Sequence, residues 1–308
     1  MVRNEFTFPS ADGRTGIHAV EWTPDMAPRA VLVLSHGVSE HILRYEPLAA
    51  YLTEWGFAVA GHDHLGHGLS VAAGAPRLYF GPRGSWDWAV QDLYARRELA
   101  GQRFPGLPVF LLGHSMGSFL ARTYLIRYPG TVAGAILMGT GQMPPALVAA
   151  GRVLAAREAR KVGDRHSSPL VNKLAFEAYN QKFAPNRTGY DWLSASTENV
   201  DQYLADPLCV RHPFGNVAAR VDGTYLASGC NLEVQVFACG VVIPLIHSVL
   251  FRPFTAIAQV FVTLGCGDAF RHLHIKYLFL ICHTLFVLFR TIRPVPACCL
   301  PGQPPDGR

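Results

Sequence analysis

Short hydrophobic runs alternate with stretches of helical periodicity over the first part of the chain. Residues 30–35 (AVLVLS) and 57–61 (FAVAG) are apolar runs of β-forming residues, which predict buried strands. Between them, apolar residues recur at helical spacing over 45–55, and Gly56 follows in the position of a helix terminator. This order predicts a strand–helix–strand unit whose strands are parallel.

The same alternation continues toward the middle of the chain. A helix is predicted over 86–104 with Ser85 as its N-cap, a strand over 109–112, a helix from Met116 and a strand over 133–138. Strands that alternate with helices are typical of an α/β protein with a mostly parallel central sheet and helices on both faces. We therefore predict this fold class.

Residues 141–208 lack strand-like runs. Helical periodicity predicts three helices there, over 146–161, 170–183 and 191–204. We interpret the segment as a helical lid inserted into the fold. The predicted organisation is a core of residues 1–140, a lid of residues 141–208 and an atypical C-terminal region of residues 209–308.

Composition separates the C-terminal region from the rest. It contains all seven cysteines and only four acidic residues. Its apolar run over 234–251 carries no formal charge and approaches the roughly 20 residues that span a membrane. Three interpretations stay open: the region completes the core, it associates with a membrane, or it reflects a changed reading frame near Cys209.

The net charge and the N-terminal sequence indicate which partners and which cellular compartment to expect. The net charge of +5 is spread without a block of Lys and Arg, so we expect no nucleic-acid partner. The sequence MVRNEFTFPSADG reaches Glu5 and a turn before any apolar stretch develops, which predicts no secretory signal. With an odd number of cysteines, a disulfide framework is disfavoured. We expect a cytoplasmic protein, with association to a membrane surface as the alternative.

The candidate chemistry lies in the sequence GHSMG at 113–117, a GxSxG motif between a predicted strand and a predicted helix. A serine on so sharp a turn adopts a strained backbone, and Gly113 and Gly117 remove side chains that would collide there. Ser115 is the candidate nucleophile. The N–H of Met116 at the helix start is one candidate oxyanion donor, and the N–H of Val38, after the strand over 30–35, is the other.

Three motifs follow one another in the order of a known family. HGVSEHILRYEPLAAYL from His36, GHDHLGHGLS from Gly61 and GHSMG from Gly113 resemble the monoacylglycerol lipase and lysophospholipase branch of the α/β-hydrolase superfamily. The resemblance ends near Cys209. It implies the α/β-hydrolase fold and a serine hydrolase without metal or cofactor. The implied reaction is cleavage of lipid-like carboxylic esters, such as monoacylglycerols or lysophospholipids, through an acyl-serine intermediate.

The resemblance does not extend to the acid and the histidine of a catalytic triad, so both stay unassigned. In the C-terminal region Asp268 is the formal candidate for the acid, and His272, His274 and His283 follow it. The alternative is a non-catalytic α/β-hydrolase-like binding protein that lacks a complete triad.

Other polar residues of the core are expected to be structural. The histidines around Asp63 do not follow the HxHxDH order of metallohydrolases, so no metal site is predicted for His62, His64 and His67. His114 is expected to point away from Ser115. Hydrogen bonds that hold the loop after the first predicted strand are expected from Glu40, His41, Arg44 and Tyr45.

Overall fold

The computed structural model describes residues 1–82, 84–141, 144–163, 165, 168–174, 178–209 and 258–261, with backbone alone at 172, 178 and 258–261. The chain forms two compact units, Met1–Gly267 and Asp268–Arg308. All described residues belong to the first unit. The candidates Asp268, His272, His274 and His283, and the apolar run over 234–251, lie outside the described residues.

A seven-stranded sheet forms the centre of this unit, in the order β1-β2-β4-β3-β5-β6-β7. Four of its six strand pairings are parallel, and the two that involve β2 are antiparallel. The predicted mostly parallel sheet is therefore confirmed. The strands are β1 (Val2–Pro9), β2 (Gly16–Thr23), β3 (Ala30–Ser35), β4 (Phe57–His62), β5 (Val109–His114), β6 (Gly134–Met138) and β7 (Ala258–Phe261).

Every residue of β3 and β4 is buried, because helices cover both faces of a parallel sheet. This explains why the two strands read as continuous apolar runs in the sequence. The β1–β2 hairpin was not predicted. Its strands mix charged and apolar residues, and β1 is mostly exposed at the edge of the sheet.

The helices pack around the sheet and extend into the segment after β6. They are α1 (Glu46–Glu54), α2 (Trp86–Arg103), α3 (Met116–Arg127), α4 (Pro145–Val162), α5 (Pro169–Asn172), α6 (Ala178–Gln181) and α7 (Thr197–Ala205). Two single-turn 3₁₀ helices, Ile42–Tyr45 and Asp191–Leu193, precede α1 and α7. Among the described helices, none is both long enough and apolar enough to cross a membrane.

Two helix predictions are corrected in detail. Ser85 has a helical backbone and its side chain makes no capping hydrogen bond, so it is not a capping residue for α2. The predicted helix over 191–204 is interrupted before α7. There the Ser196 hydroxyl accepts a hydrogen bond from Asn199 N–H and starts a new helix, because serine competes with the helical backbone for such bonds.

Candidate active site

Ser115 lies in the turn between β5 and α3. Its backbone has φ 51° and ψ −118°, a conformation that non-glycine residues rarely adopt. The turn is anchored to the sheet, because Ser115 N–H donates to Met138 O in β6 at 2.9 Å. The Ser115 side chain is partly exposed, and no described side chain forms a hydrogen bond with its hydroxyl.

The glycines on either side of Ser115 permit close approach of backbone segments. A Cβ added to Gly113 would lie 2.5 Å from the carbonyl oxygen of Gly117. A Cβ added to Gly117 would overlap the Ser35 carbonyl oxygen at the end of β3. The start of α3 therefore lies directly against the end of β3, and a side chain at Gly117 would separate these two segments. A side chain at Gly113 would instead push α3 away from β5.

The loop of residues 36–41, called the oxyanion loop below, runs beside Ser115. A Cβ added to Gly37 would lie 3.4 Å from the Cβ of Ser115. Val38 follows Gly37 and is partly buried against the core, whereas Met116 is fully buried at the start of α3. The two predicted oxyanion donors thus lie on the two backbone segments that flank Ser115.

Glu40 holds the first part of the oxyanion loop. Its Oε1 accepts hydrogen bonds from Gly37 N–H and from the Tyr45 hydroxyl, and it lies 3.1 Å from Nδ1 of His114. Burial raises the pKa of Glu40, but the hydrogen bond and charge of His114, together with Arg44, outweigh burial. The pKa of Glu40 is therefore lowered overall. An anionic Glu40 fixes the loop, and the His114 ring is engaged with Glu40 and Tyr45.

Three buried histidines, His62, His64 and His67, cluster with His36 at the start of the oxyanion loop. Nδ1 of His36 donates to Gly37 O, and its Nε2 accepts from His64 N–H. Burial lowers the pKa of each of the four, to about 3 for His62 and His67. They are therefore neutral packing groups at neutral pH.

Asp63 ties together three segments around these histidines. Its carboxylate accepts from Ile42 N–H at 2.8 Å, from Leu69 N–H at 2.8 Å and from Nδ1 of His18 at 2.9 Å. Burial raises the pKa of Asp63, but the hydrogen bond from His18 and the other donors outweigh burial and lower it to about 2. These contacts give Asp63 a structural role.

Comparison with known proteins identifies the family of the chain. Residues 26–221 match the family described as serine aminopeptidase, S33. The chain belongs to this family of α/β-hydrolases. The match reaches past Cys209, where the recognisable sequence motifs end.

Two curated relatives of this S33-family chain are named as lipases. It is 36% identical over 157 residues to the monoacylglycerol lipase of Mycolicibacterium smegmatis, which covers 49% of this chain and 54% of the relative. It is 35% identical over 191 residues to the human monoglyceride lipase, covering 62% of this chain and 55% of the relative. The chain spans about half the length of these relatives.

A solved structure confirms the α/β-hydrolase fold. The thermostable carboxyl esterase from Bacillus coagulans, in complex with glycerol, superposes with a TM-score of 0.70 at 20% identity. The superposition covers 93% of this chain and 98% of the esterase. At this identity the likeness concerns the fold alone.

A group that sequence reasoning missed joins the oxyanion loop to the end of α7 in this S33-family chain. His41 Nε2 lies 2.7 Å from an Asp206 carboxylate oxygen, and Arg44 donates to the Cys209 sulfur at 3.8 Å. Residues 165 apart in sequence meet here, and no motif signals the pairing.

The ligand atoms of His41, Asp206 and Cys209 lie within 4.8 Å of one another, as in a metal site. We assign no metal, because burial raises the pKa of Cys209 to about 12 and Arg44 adds a positive charge beside it.

None of the seven described histidines is hydrogen-bonded to Ser115. Each either contacts another group or lies buried in the histidine cluster at the start of the oxyanion loop. A general base for Ser115 would therefore come from outside the described residues.

Proposed function

We propose that this chain is a serine hydrolase of carboxylic esters with Ser115 as its nucleophile. The observation that carries the proposal is the strained backbone of Ser115 at a strand-to-helix turn, with Gly37 beside it. Two relatives are named for monoacylglycerol or monoglyceride. We propose the same lipid-like class of substrate here, with lysophospholipids as a further candidate.

The reaction follows from the positions of three backbone segments. The Ser115 oxygen attacks the ester carbonyl, its proton passes through a base to the leaving alcohol, and water then cleaves the acyl-serine ester. The N–H groups of Val38 and Met116 would donate to the oxyanion that forms in both steps. The N-terminus of α3 adds a favourable dipole for the negative charge.

Residues 141–208 are proposed as a lid that binds the acyl chain. Val148 of α4 is buried, whereas Leu147 and Leu170 are exposed and available to an apolar ligand. Phe176, also expected in the acyl pocket, lies outside the described residues. Deletion of the segment is expected to abolish long-chain hydrolysis, and unchanged short- and long-chain activities would refute the lid role.

The same segment supports action at a membrane surface inside the cell, which we also propose. Val153 and Leu174 are 70% and 62% exposed, and Arg157 and Arg160 are exposed on the same helix as Val153. Apolar and basic side chains together favour a lipid surface. Co-sedimentation with anionic vesicles, weakened by Val153→Asp, is the expected result, and equal sedimentation of both proteins would refute it.

A non-catalytic binding protein is the second candidate. It is favoured by the absence, among the described residues, of a histidine hydrogen-bonded to the Ser115 hydroxyl. In that case the fold would retain a ligand site while the Ser115 hydroxyl stays unactivated.

One experiment separates the two candidates. The full chain is treated with a fluorophosphonate probe and assayed with a p-nitrophenyl ester, next to Ser115→Ala and to the control Ser85→Ala. A hydrolase shows labelling and turnover that Ser115→Ala lowers by several orders of magnitude and Ser85→Ala retains. Loss of turnover in Asp268→Asn or His283→Ala would identify triad partners. Labelling that survives Ser115→Ala would refute the proposed nucleophile.

A further inference from the structure

Ser39, next to the proposed oxyanion donor Val38, has a strained backbone in the turn at residues 38–39. Its φ is 63°, although it is not a glycine. Its buried hydroxyl finds no hydrogen-bond partner among the described residues. Such conformations persist only where the surrounding structure holds them, so the source of that support matters for Val38.

Part of this support comes from the end of α7. The Tyr203 hydroxyl donates to the carbonyl oxygen of Ser39 at 3.2 Å in a buried contact. Asp206, just after α7, bonds to His41 two residues further along the loop. The two contacts hold the loop on the C-terminal side of Val38.

A second path reaches the N-terminal side of Val38. The Arg44 guanidinium lies 5.1 Å from the centre of the Tyr203 ring, and its Nε lies 3.4 Å from Glu40. Glu40 in turn accepts the N–H of Gly37. Val38 is therefore bracketed by Gly37 and Ser39, and contacts from both lead to Tyr203.

We propose that Tyr203 and Asp206 are positioning residues that hold the N–H of Val38 toward Ser115, and that they couple the helical segment before residue 209 to the oxyanion hole. Without the contacts from α7, the backbone of Ser39 relaxes and the N–H of Val38 is no longer held toward Ser115. The transition state then loses a donor, whereas binding of the uncharged ester is unaffected. The catalytic part of this inference rests on the proposed function.

Hydrogen exchange tests the positioning without relying on catalysis. Amide exchange over residues 36–41 is measured in Tyr203→Phe and Asp206→Asn, next to Asp201→Asn. Asp201 is an exposed carboxylate on the same helix, paired with Arg187 at 2.7 Å. We expect roughly tenfold faster exchange in the loop for Tyr203→Phe, which loses a buried hydrogen bond, and for Asp206→Asn, which loses the charge that faces His41. We expect no change for the control.

Exchange over α2 reports on global stability in the same samples and should not change. Unchanged exchange over residues 36–41 would overturn the proposal. An equal rise over the loop and α2 would overturn it as well, because the contacts would then stabilise the whole fold and not the loop.

Steady-state kinetics test the catalytic consequence. If the chain shows Ser115-dependent hydrolysis, Tyr203→Phe and Asp206→Asn should lower kcat roughly tenfold and leave KM within about twofold. A raised KM with unchanged kcat would overturn the catalytic role. Absence of hydrolysis in the parent chain would contradict the proposed function, and hydrogen exchange would still decide the positioning.

Discussion

The turn at Ser115 and the oxyanion loop lie side by side, yet they are held in different ways. Ser115 is fixed by its own neighbours in the sheet, through its bond to Met138 and through backbone contacts permitted by Gly113 and Gly117. The oxyanion loop is fixed by side chains. Glu40 and Tyr45 lie in or near the loop, whereas His114, Tyr203 and Asp206 come from far along the chain.

The Ser115 turn and the oxyanion loop therefore depend on different interactions. Backbone strain at Ser115 is balanced by sheet hydrogen bonds and tight packing, which do not titrate. The loop depends on the partly buried carboxylate of Glu40 and packs against buried neutral histidines, and these groups do titrate. We therefore expect acid and charge substitutions to affect the loop, and added volume to affect the Ser115 turn.

The largest effect is expected from acid. The pKa of His62 and of His67 is about 3 in the folded protein, below the usual 6.5 of the unfolded chain. The stability that these two neutral histidines contribute is therefore fully present above pH 6.5. It is lost as pH falls from 6.5 toward 3, because protons bind the histidines of the unfolded chain first. The slope is about 1.4 kcal/mol per pH unit for each such histidine. Urea denaturation between pH 7.5 and pH 4.5 measures it.

His62→Phe sharpens this test. Both ring nitrogens of His62 lack a hydrogen-bond partner among the described residues, and the ring packs edge-on against Phe8. Phenylalanine should keep the packing and remove one histidine's share of the pH slope. A slope identical to that of the parent protein would contradict the assignment of acid sensitivity to these histidines.

A side chain at Gly117 is expected to have the next largest effect. Gly117→Ala places a methyl group against the backbone of β3, which cannot move without breaking the sheet. We expect a loss of about 3 kcal/mol in unfolding free energy, at the upper end for overpacking, and loss of Ser115 reactivity. Gly101→Ala in α2 is the matched control. Its methyl group meets only Arg97 at 3.5 Å, so it should stabilise slightly, and equal losses in both variants would refute the argument.

Glu40→Gln tests the charge that holds the oxyanion loop. The amide removes a charged acceptor for Gly37 N–H and the Tyr45 hydroxyl and removes the ion pair with Arg44. We expect a loss of about 2 kcal/mol in thermal or urea unfolding. Glu54→Gln, on an exposed carboxylate at the end of α1, should change stability by less than about 0.5 kcal/mol. Similar values for the two variants would show that the charge of Glu40 does not hold the loop.

The smallest effect concerns Ser118 at the start of α3. Its hydroxyl donates to the carbonyl oxygen of Ser115 at 2.6 Å. Ser118→Ala should lower the unfolding free energy by about 1 kcal/mol, the usual value of one hydrogen bond. A calorimetric change of 3 kcal/mol or more would mean that the Ser115 turn depends on side chains as the oxyanion loop does.

The sequence determined the parallel sheet and the position of Ser115, since both follow from local patterns. Buried strands appear in the sequence as apolar runs. A tight strand-to-helix turn that needs glycine at two positions appears as the GxSxG motif. The edge hairpin escaped prediction because β1 is exposed and its residues show no buried period. The break before α7 escaped it because Ser196 fits the helical pattern until its hydroxyl is seen to cap a new helix.

Only the tertiary structure decided what holds the oxyanion loop. Tyr203 meets Ser39 and Asp206 meets His41 across more than 160 residues of chain. Such contacts arise when the end of α7 packs against the oxyanion loop, and single-sequence patterns contain information only about near neighbours. The physical reason is that a hydrogen bond needs two groups within about 3 Å, whereas chain spacing fixes distance over only a few residues.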